Sequence, residues 1–335
     1  MGAEGSEFES RCPDFFMSTT TAQLPYLTFF HRPCRGYTLG GDGENHTMLS
    51  PVFETSVDFS SLIMSVDYPT SSHSWMLTEV QVRQGDTWSP FFKLAFYSPK
   101  LNHSFESQKC AAGEVRVDVL HLFKPANAYR FLLTVQGNAE IPGVWVCLTD
   151  SAAEGDACSA ILPAGKRHIK VPPISQMQLP IAPLERERVC SPTSLCMALN
   201  ALGVKADPLE TAASVYDDRA RIYGNWTLNT TYACSCGLEA FVTRIHRLAQ
   251  LKDYISKDSL LLSSISYKRG QLANAAIAKT DGHLVVVCGW ENGKVYVADP
   301  AAAQTDQVLR AYDAEEFALA WLFHKRGIAY IVRKK

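Results

Sequence analysis

From Thr47 to Asp150 the chain keeps returning to one pattern, short runs in which every second residue is apolar, broken by Gly, Pro and Asn. Met76, Thr78, Val80 and Val82 fall on one side of such a run, with Glu79, Gln81 and Arg83 on the other; Gly85-Asp86 then offers a turn into Phe92, Leu94 and Phe96. Val115, Val117 and Val119 alternate with Arg116 and Asp118, while Tyr129, Phe131, Leu133 and Val135 alternate with Arg130 and Thr134. Val144, Val146 and Leu148 repeat the pattern. A period of two belongs to strands that bury one face. With no run at helical spacing among them, the segment predicts an all-β antiparallel sandwich. No cluster of catalytic side chains stands out inside it.

The pattern breaks at Leu162-Pro163-Ala164-Gly165-Lys166-Arg167, and Val171-Pro172-Pro173 follows, so a domain boundary is expected here. Residues 18–165 then form the sandwich, residues 168–335 a second domain, and residues 1–17 a tail. Beyond the boundary Ser191-Pro192 reads as a helix N-cap with proline at the first helical position. Leu195, Leu199 and Leu202 recur at helical spacing until Gly203. A further helix is expected over Gly237 to Leu251, with Leu238, Phe241, Ile245 and Leu248 on one face and His246 on its solvated side. Strands are expected over Leu260–Ser266, His283–Cys288, Lys294–Ala298 and Ile328–Val332. Helices first and strands after is an α+β order.

Charge and apolar content narrow the function classes. Thirty-two basic against 34 acidic residues give a formal net charge of −2, without a long run of either sign, so no footprint for nucleic acid or anionic membrane is present. The most apolar run, near Leu284 to Val287, is far short of the roughly 20 residues of a spanning helix. Met1–Glu9 is acidic and lacks the basic start and apolar stretch of a secretory signal, which suggests retention inside the cell or signal-independent export. Met17 is a candidate natural start, and Gly2 with Ser6 fits a loose myristoylation pattern. Ten cysteines in a chain of 335 residues do not make a small-scaffold disulfide framework, and a reducing compartment fits better. Cys234 and Cys236 lack a second close Cys or His pair for a metal and read as loop cysteines. The sequons at Asn45, Asn102, Asn225 and Asn229 read as coincidence without a signal.

One constellation carries chemistry. A cysteine nucleophile works as the thiolate, which the positive end of a helix favours, and Cys190 stands at such an end. His283 begins one strand and Asp299 ends the next, with a turn at Asn292-Gly293 between them. That hairpin would bring the two side chains to the same end of adjacent strands, where the imidazole can share the thiol proton and the carboxylate can hold its tautomer.

The same residues resemble a known family, the bacteriocin-processing (double-glycine) type of papain-like cysteine peptidase in its stand-alone form. Val171-Pro172, Gln176, Cys190-Ser191-Pro192-Thr193-Ser194 and Tyr223-Gly224-Asn225-Trp226 look like its upstream signatures. Gly282 through Val287 with Gly289, then Val297-Ala298-Asp299-Pro300-Ala301, look like its histidine and aspartate strands. Arg310, Tyr312, Phe317, Ala320-Trp321 and Gly327 follow in a familiar order, and the sandwich is similar to the extra N-terminal domain of some stand-alone members. The resemblance implies a papain-like fold for residues 168–335. It implies Cys190 as nucleophile, His283 as general base and acid, and Asp299 as the orienting group. Neither metal nor organic cofactor is implied, and the partner is a peptide or protein substrate. The family usually has glycine after the cysteine, where this chain has Ser191, a change that bears on how closely substrate approaches. An oxyanion-stabilising glutamine lies close upstream in compact members, where this chain has Leu184 and Glu185; of Gln176 and Gln178, Gln176 is the choice.

Each residue also has a plainer role to set beside this. A lone cysteine at a helix start is by default a small buried apolar group, a lone strand histidine a satisfied core residue, and Asp299-Pro300 a strand terminator. Cys196 and Cys288 read as core, and Trp226, Trp290 and Trp321 as packing. The ordered Cys–His–Asp set points to hydrolysis of a peptide or isopeptide bond. Acyl transfer or deamidation by the same triad, or a silent peptidase-like binding module, are the rival readings.

Overall fold

The computed structural model describes residues 26–31, 37–68, 74–136, 143–150 and 159–335. The 1–17 tail, the Met17 start and the Gly2/Ser6 pattern lie outside the described residues. Within the first half the strands are β1 (Tyr26–His31), β2 (Thr38–Gly41), β3 (Asn45–Leu49), β4 (Phe53–Asp67), β5 (Met76–Gln84) and β6 (Thr87–Trp88). They continue with β7 (Phe92–Tyr97), β8 (His103–Ser104), β9 (Gly113–Arg116), β10 (Val119–Gln136) and β11 (Gly143–Asp150). All pairings are antiparallel, in the order β1-β11-β4-β10-β5-β7-β8 with β2, β3, β6 and β9 at the sides. The long β10 is shared: its first part runs between β4 and β9, its last between β5 and β3. One core gathers Phe59, Leu62, Val80, Val82, Phe131, Leu133 and Val146 from these strands, so the alternation marks the buried face as expected.

Two details of that alternation change. A bulge where β5 meets β7 shifts the phase, so Phe92 and Leu94 are buried but Ala95 and Tyr97, not Phe96, continue the buried side. The Val115–Val119 run is not one strand. Arg116 pairs with Val119, and Val117-Asp118 is the two-residue turn of a hairpin, with Val117 at φ 57°.

The second half contains β12 (Arg167–His168), α1 (Pro183–Arg186), α2 (Cys190–Ala201), α3 (Pro208–Val215), α4 (Trp226–Ser235) and β13 (Glu239–Arg244). There follow α5 (Leu251–Tyr254), β14 (Ser259–Tyr267), β15 (Thr280–Glu291), β16 (Lys294–Ala298), β17 (Leu309–Asp313), α6 (Ala314–Ala318) and β18 (Ile328–Arg333). The sheet is antiparallel, in the order β13-β18-β14-β15-β16-β17, with β12 also on β15. Its two faces are buried differently. Leu260, Leu262, Val286 and Ala298 pack with Leu195 and Leu199 of α2, while Leu261, Val285, Val287 and Val297 pack with Phe317 and Trp321. Helices and sheet make this half mixed, as the helix-then-strand order implied.

The expected helix over Gly237 to Leu251 is replaced by β13, a short 3-10 turn (Leu248–Gln250) and α5. Gly237, at φ 88°, ends α4 instead of preceding a helix. Ala240 and Val242 face the α2 core and Phe241 the opposite one, and a strand buried on both faces shows no alternation to read. His246 is correspondingly not on a solvated helix. It is 4% exposed, and burial followed by the charge of Arg247 lowers its pKa to about 4.

The two halves share a wide contact. Ile63, Val119 and Cys147, on the side of the first sheet away from its own core, join the α2 core. Trp145 stacks on Phe241 at 3.8 Å and 11°. Val242 N–H donates to Ser65 Oγ (2.9 Å), Thr231 Oγ1 donates to the Val66 carbonyl (3.2 Å), and Thr28 and Thr243 share a hydroxyl bond of 2.8 Å. Among the described residues β13 pairs only with β18, and this contact covers what would otherwise be an open edge. Among the described residues, no helix is long and apolar enough to cross a membrane.

Candidate active site

Helix α2 begins at Cys190. Val189 is its N-cap and contributes no side-chain cap, so Ser191 is the second helical residue and not the cap its sequence suggested. Pro192 occupies the third position, where a missing N–H costs nothing because the first turn has no intrahelical acceptor. Ser194 Oγ donates to the Leu284 carbonyl at 2.9 Å, tying α2 to β15 one residue past His283; β15 begins earlier than expected, at Thr280. Cys190 is half-buried there.

On the other side of the site, β15 and β16 pair with Val286 opposite Ala298, which carries His283 and Asp299 to one end of the hairpin. His283 Nε2 lies 2.7 Å from Asp299 Oδ1, with the two side chains 3% and 0% exposed. Asp299 Oδ1 also accepts from the Ala301 N–H (2.9 Å) and its Oδ2 from the Tyr312 hydroxyl (2.6 Å). The carboxylate is thus fully engaged and cannot swing. With Nε2 committed to Asp299, Nδ1 is the ring nitrogen left for the Cys190 thiol.

The charges follow from these contacts. Burial pushes the Cys190 thiol up, but the His283 hydrogen bond and charge, with the Leu284 N–H, outweigh it and hold the pKa below the ordinary thiol value. Burial alone would lower His283; Asp299 and then Cys190 reverse this and raise it. Asp299 is held below the usual carboxylate range because His283, Tyr312 and Ala301 overcome its desolvation. The arrangement favours a thiolate beside an imidazolium, itself held by a carboxylate. The other buried thiols go the opposite way: burial pushes Cys196 up to about 11 and Cys288 to about 12.

Gln176 sits in a short 3-10 turn (Gln176–Gln178), 2% exposed, with its N–H on the Pro300 carbonyl (2.8 Å), directly behind Asp299. Its Nε2 donates to the Arg186 carbonyl at 2.6 Å. Gln178 instead turns outward to Gln304 and Thr305. Glu185 accepts from Arg188 and Tyr223, and Leu184 is exposed.

Ser191 does not face a substrate. Fully buried, its hydroxyl donates to Asn229 Oδ1 (3.0 Å) and meets the Tyr330 hydroxyl (3.1 Å). Asn229 and Tyr330 were not legible as site residues, nor was a role for Tyr312. Asn225 and Asn229 are also buried, which removes two of the four sequons from the surface. Cys234 lies inside α4, not in a loop, and Cys236 caps its end. Trp290 and Trp321 are buried in the core, and Trp226 packs at its margin. Among the described residues no group of His, Cys, Asp and Glu gathers in a way that could hold a metal ion.

Residues 168–327 match the Peptidase C39-like family, and residues 40–149 match the Peptidase C39 N-terminal domain. Two solved structures are similar. One is a double glycine motif protease from an AMS/PCAT transporter in complex with the leader peptide, 22% identical over 52% of this chain and 99% of that one, TM-score 0.36. The other is described as a C39-like peptidase from Bacillus anthracis, 18% identical over 51% of this chain and 98% of that one, TM-score 0.37. No curated protein matches the chain.

Proposed function

The second half of this chain belongs to the Peptidase C39-like family of cysteine peptidases, and from that premise we propose that it hydrolyses peptide or isopeptide bonds through a thioester on Cys190. The observation that carries the reading is the buried His283–Asp299 bond of 2.7 Å, with the same imidazole holding the Cys190 thiol below its ordinary pKa. We read residues 168–335 as a papain-like peptidase domain and residues 18–165 as an accessory β-sandwich.

In this mechanism the Cys190 thiolate attacks the scissile carbonyl carbon, and the negative charge moves to its oxygen. The backbone N–H of Cys190, first in α2 and without an intrahelical acceptor, is one donor for that oxyanion. Gln176 is the side-chain candidate for the other; one of its amide hydrogens is held by Arg186. Collapse breaks the C–N bond as His283 Nδ1 gives its proton to the leaving amine, and an acyl-thioester remains. Water then gives a proton to Nδ1 and attacks the thioester; the thiolate leaves and the acid product is released. Throughout, Asp299 keeps Nε2–H in place, and Tyr312 keeps Asp299 in place.

The test is cleavage of a peptide library followed by mass spectrometry. Hydrolysis gives two fragments that together gain one water. Transfer to an amine, or side-chain deamidation by about one mass unit, would support the alternative uses of a thioester. Cys190→Ala should remove both turnover and labelling by a thiol-directed electrophile, and stoichiometric fast labelling that survives in Cys190→Ala would overturn the assignment.

A further inference from the structure

The nucleophile's helix is not anchored by the peptidase half alone. At the start of α4, Asn225 caps by accepting from the Leu228 N–H at 3.1 Å, which leaves the two preceding donors. Both are taken by Asp118 of the first half: its Oδ2 lies 2.6 Å from the Trp226 nitrogen and 3.4 Å from that of Thr227. One turn later Asn229 uses its whole amide. Its Nδ2 donates to the Tyr223 and Asn225 carbonyls (2.9 and 2.7 Å), and its Oδ1 accepts from Ser191, whose backbone adjoins Cys190.

We propose that Asp118, at the tip of the β9–β10 hairpin, is a positioning residue for the Cys190 nucleophile, acting through α4, Asn229 and Ser191. This rests on the reading of Cys190 as the nucleophile.

Two features of the hairpin agree. Val117 is β-branched yet adopts φ 57°, a left-handed conformation unfavourable for a non-glycine residue, and it turns the chain so that the next side chain enters the second domain. Asp118 itself is 5% exposed, and among the described residues N–H donors, with no cation, hold its charge. Burial raises its pKa to about 6 against those donors. The other ionisable groups close to it are Asp217 of the loop after α3, Tyr97 of β7 and Tyr330 of β18; burial raises both tyrosines, which therefore stay neutral. Asp217 reinforces the same joint. Its Oδ2 accepts from the Ser104 N–H of β8 (3.1 Å) and from Asn225 Nδ2 (2.9 Å).

The rate of alkylation of Cys190 across pH, with Cys190→Ala as background, reads this without any peptide substrate. In Asp118→Ala the two N–H groups lose their acceptor, and labelling at pH 6 should fall about tenfold, the decade that one pKa unit on the thiol represents. Asp118→Asn keeps an acceptor without the charge and should label within about threefold of wild type. The sign excludes the alternative: a merely electrostatic carboxylate would repel the thiolate, so its removal would speed labelling in both variants. Faster or unchanged labelling in a folded Asp118→Ala protein overturns the proposal. Ser191→Ala removes the last link while leaving the domain contact intact; slowed labelling supports the proposal even if Asp118→Ala does not fold, and unchanged labelling overturns it. A wild-type protein labelled only near the free-thiol pKa of about 8.5 would instead defeat the reading of Cys190 as nucleophile.

Discussion

The two sides of the site are held by different ranges of contact. His283 and Asp299 lie 16 positions apart on one hairpin, and the groups that hold the Asp299 carboxylate, His283, Ala301 and Tyr312, belong to the same stretch of chain. Cys190 depends on distant segments: Leu284 through Ser194, then Asn229 and Tyr330 through Ser191, and beyond them Asp118 of the other half. A local hairpin can set a pair of side chains with little help. Aiming the Cys190 side chain at that pair takes packing across the molecule.

Several variants would break or sharpen this contrast. The largest effect belongs to the chemical groups themselves. His283→Ala should lower kcat by at least about a thousandfold, as loss of a triad member does elsewhere, with the circular dichroism spectrum unchanged. Asp299→Ala should cost about a hundredfold or more; Asp299→Asn, which still accepts from Nε2–H, should cost less and move the alkylation midpoint of Cys190 upward, because the imidazolium loses its counter-charge. Gly327→Ala should be the most damaging change away from the triad. Gly327 has φ 63°, and a Cβ there would lie 1.6 Å from the Ile245 carbonyl oxygen, so several kcal/mol of stability should be lost in denaturant titration, on the order of 3.

Tyr312→Phe removes one of the three hydrogen bonds on Asp299 and should lower kcat by about tenfold or less, with KM unchanged. The smallest effect is a pH dependence. The folded pKa of Asp118, raised to about 6, lies above its unfolded value near 4. Protonation therefore favours the native state, and stability should rise as pH falls through about 6 toward 4. Asp118→Asn should flatten that rise and lift Tm at pH 7 by a few degrees, whereas the His283–Asp299 pair contributes no such gain: its raised histidine and lowered aspartate pKa values stabilise the fold across the neutral range.

What could be read directly was what local pattern specifies. Alternation marked Val80, Val82, Phe131 and Leu133 as core, and the Asn292-Gly293 turn between two apolar runs joined His283 to Asp299 before any coordinates were needed. β13 was unreadable for the opposite reason. Its neighbours bury both faces, so Leu238, Phe241, Ile245 and Leu248 left only a helical spacing to follow. Asp118 looked like the outward residue of an alternating strand, because nothing local reveals a turn at a valine or a helix end from another domain waiting behind it.

The sequence by itself pointed to Cys190, His283 and Asp299, because a helix start and a hairpin are short-range structures whose residues carry their own signals. Only the tertiary structure decided where Ser191 points and what Asp118 holds. Those contacts join segments 38 to 139 residues apart, and which buried donor meets which acceptor is settled by packing, after the local pattern has been spent.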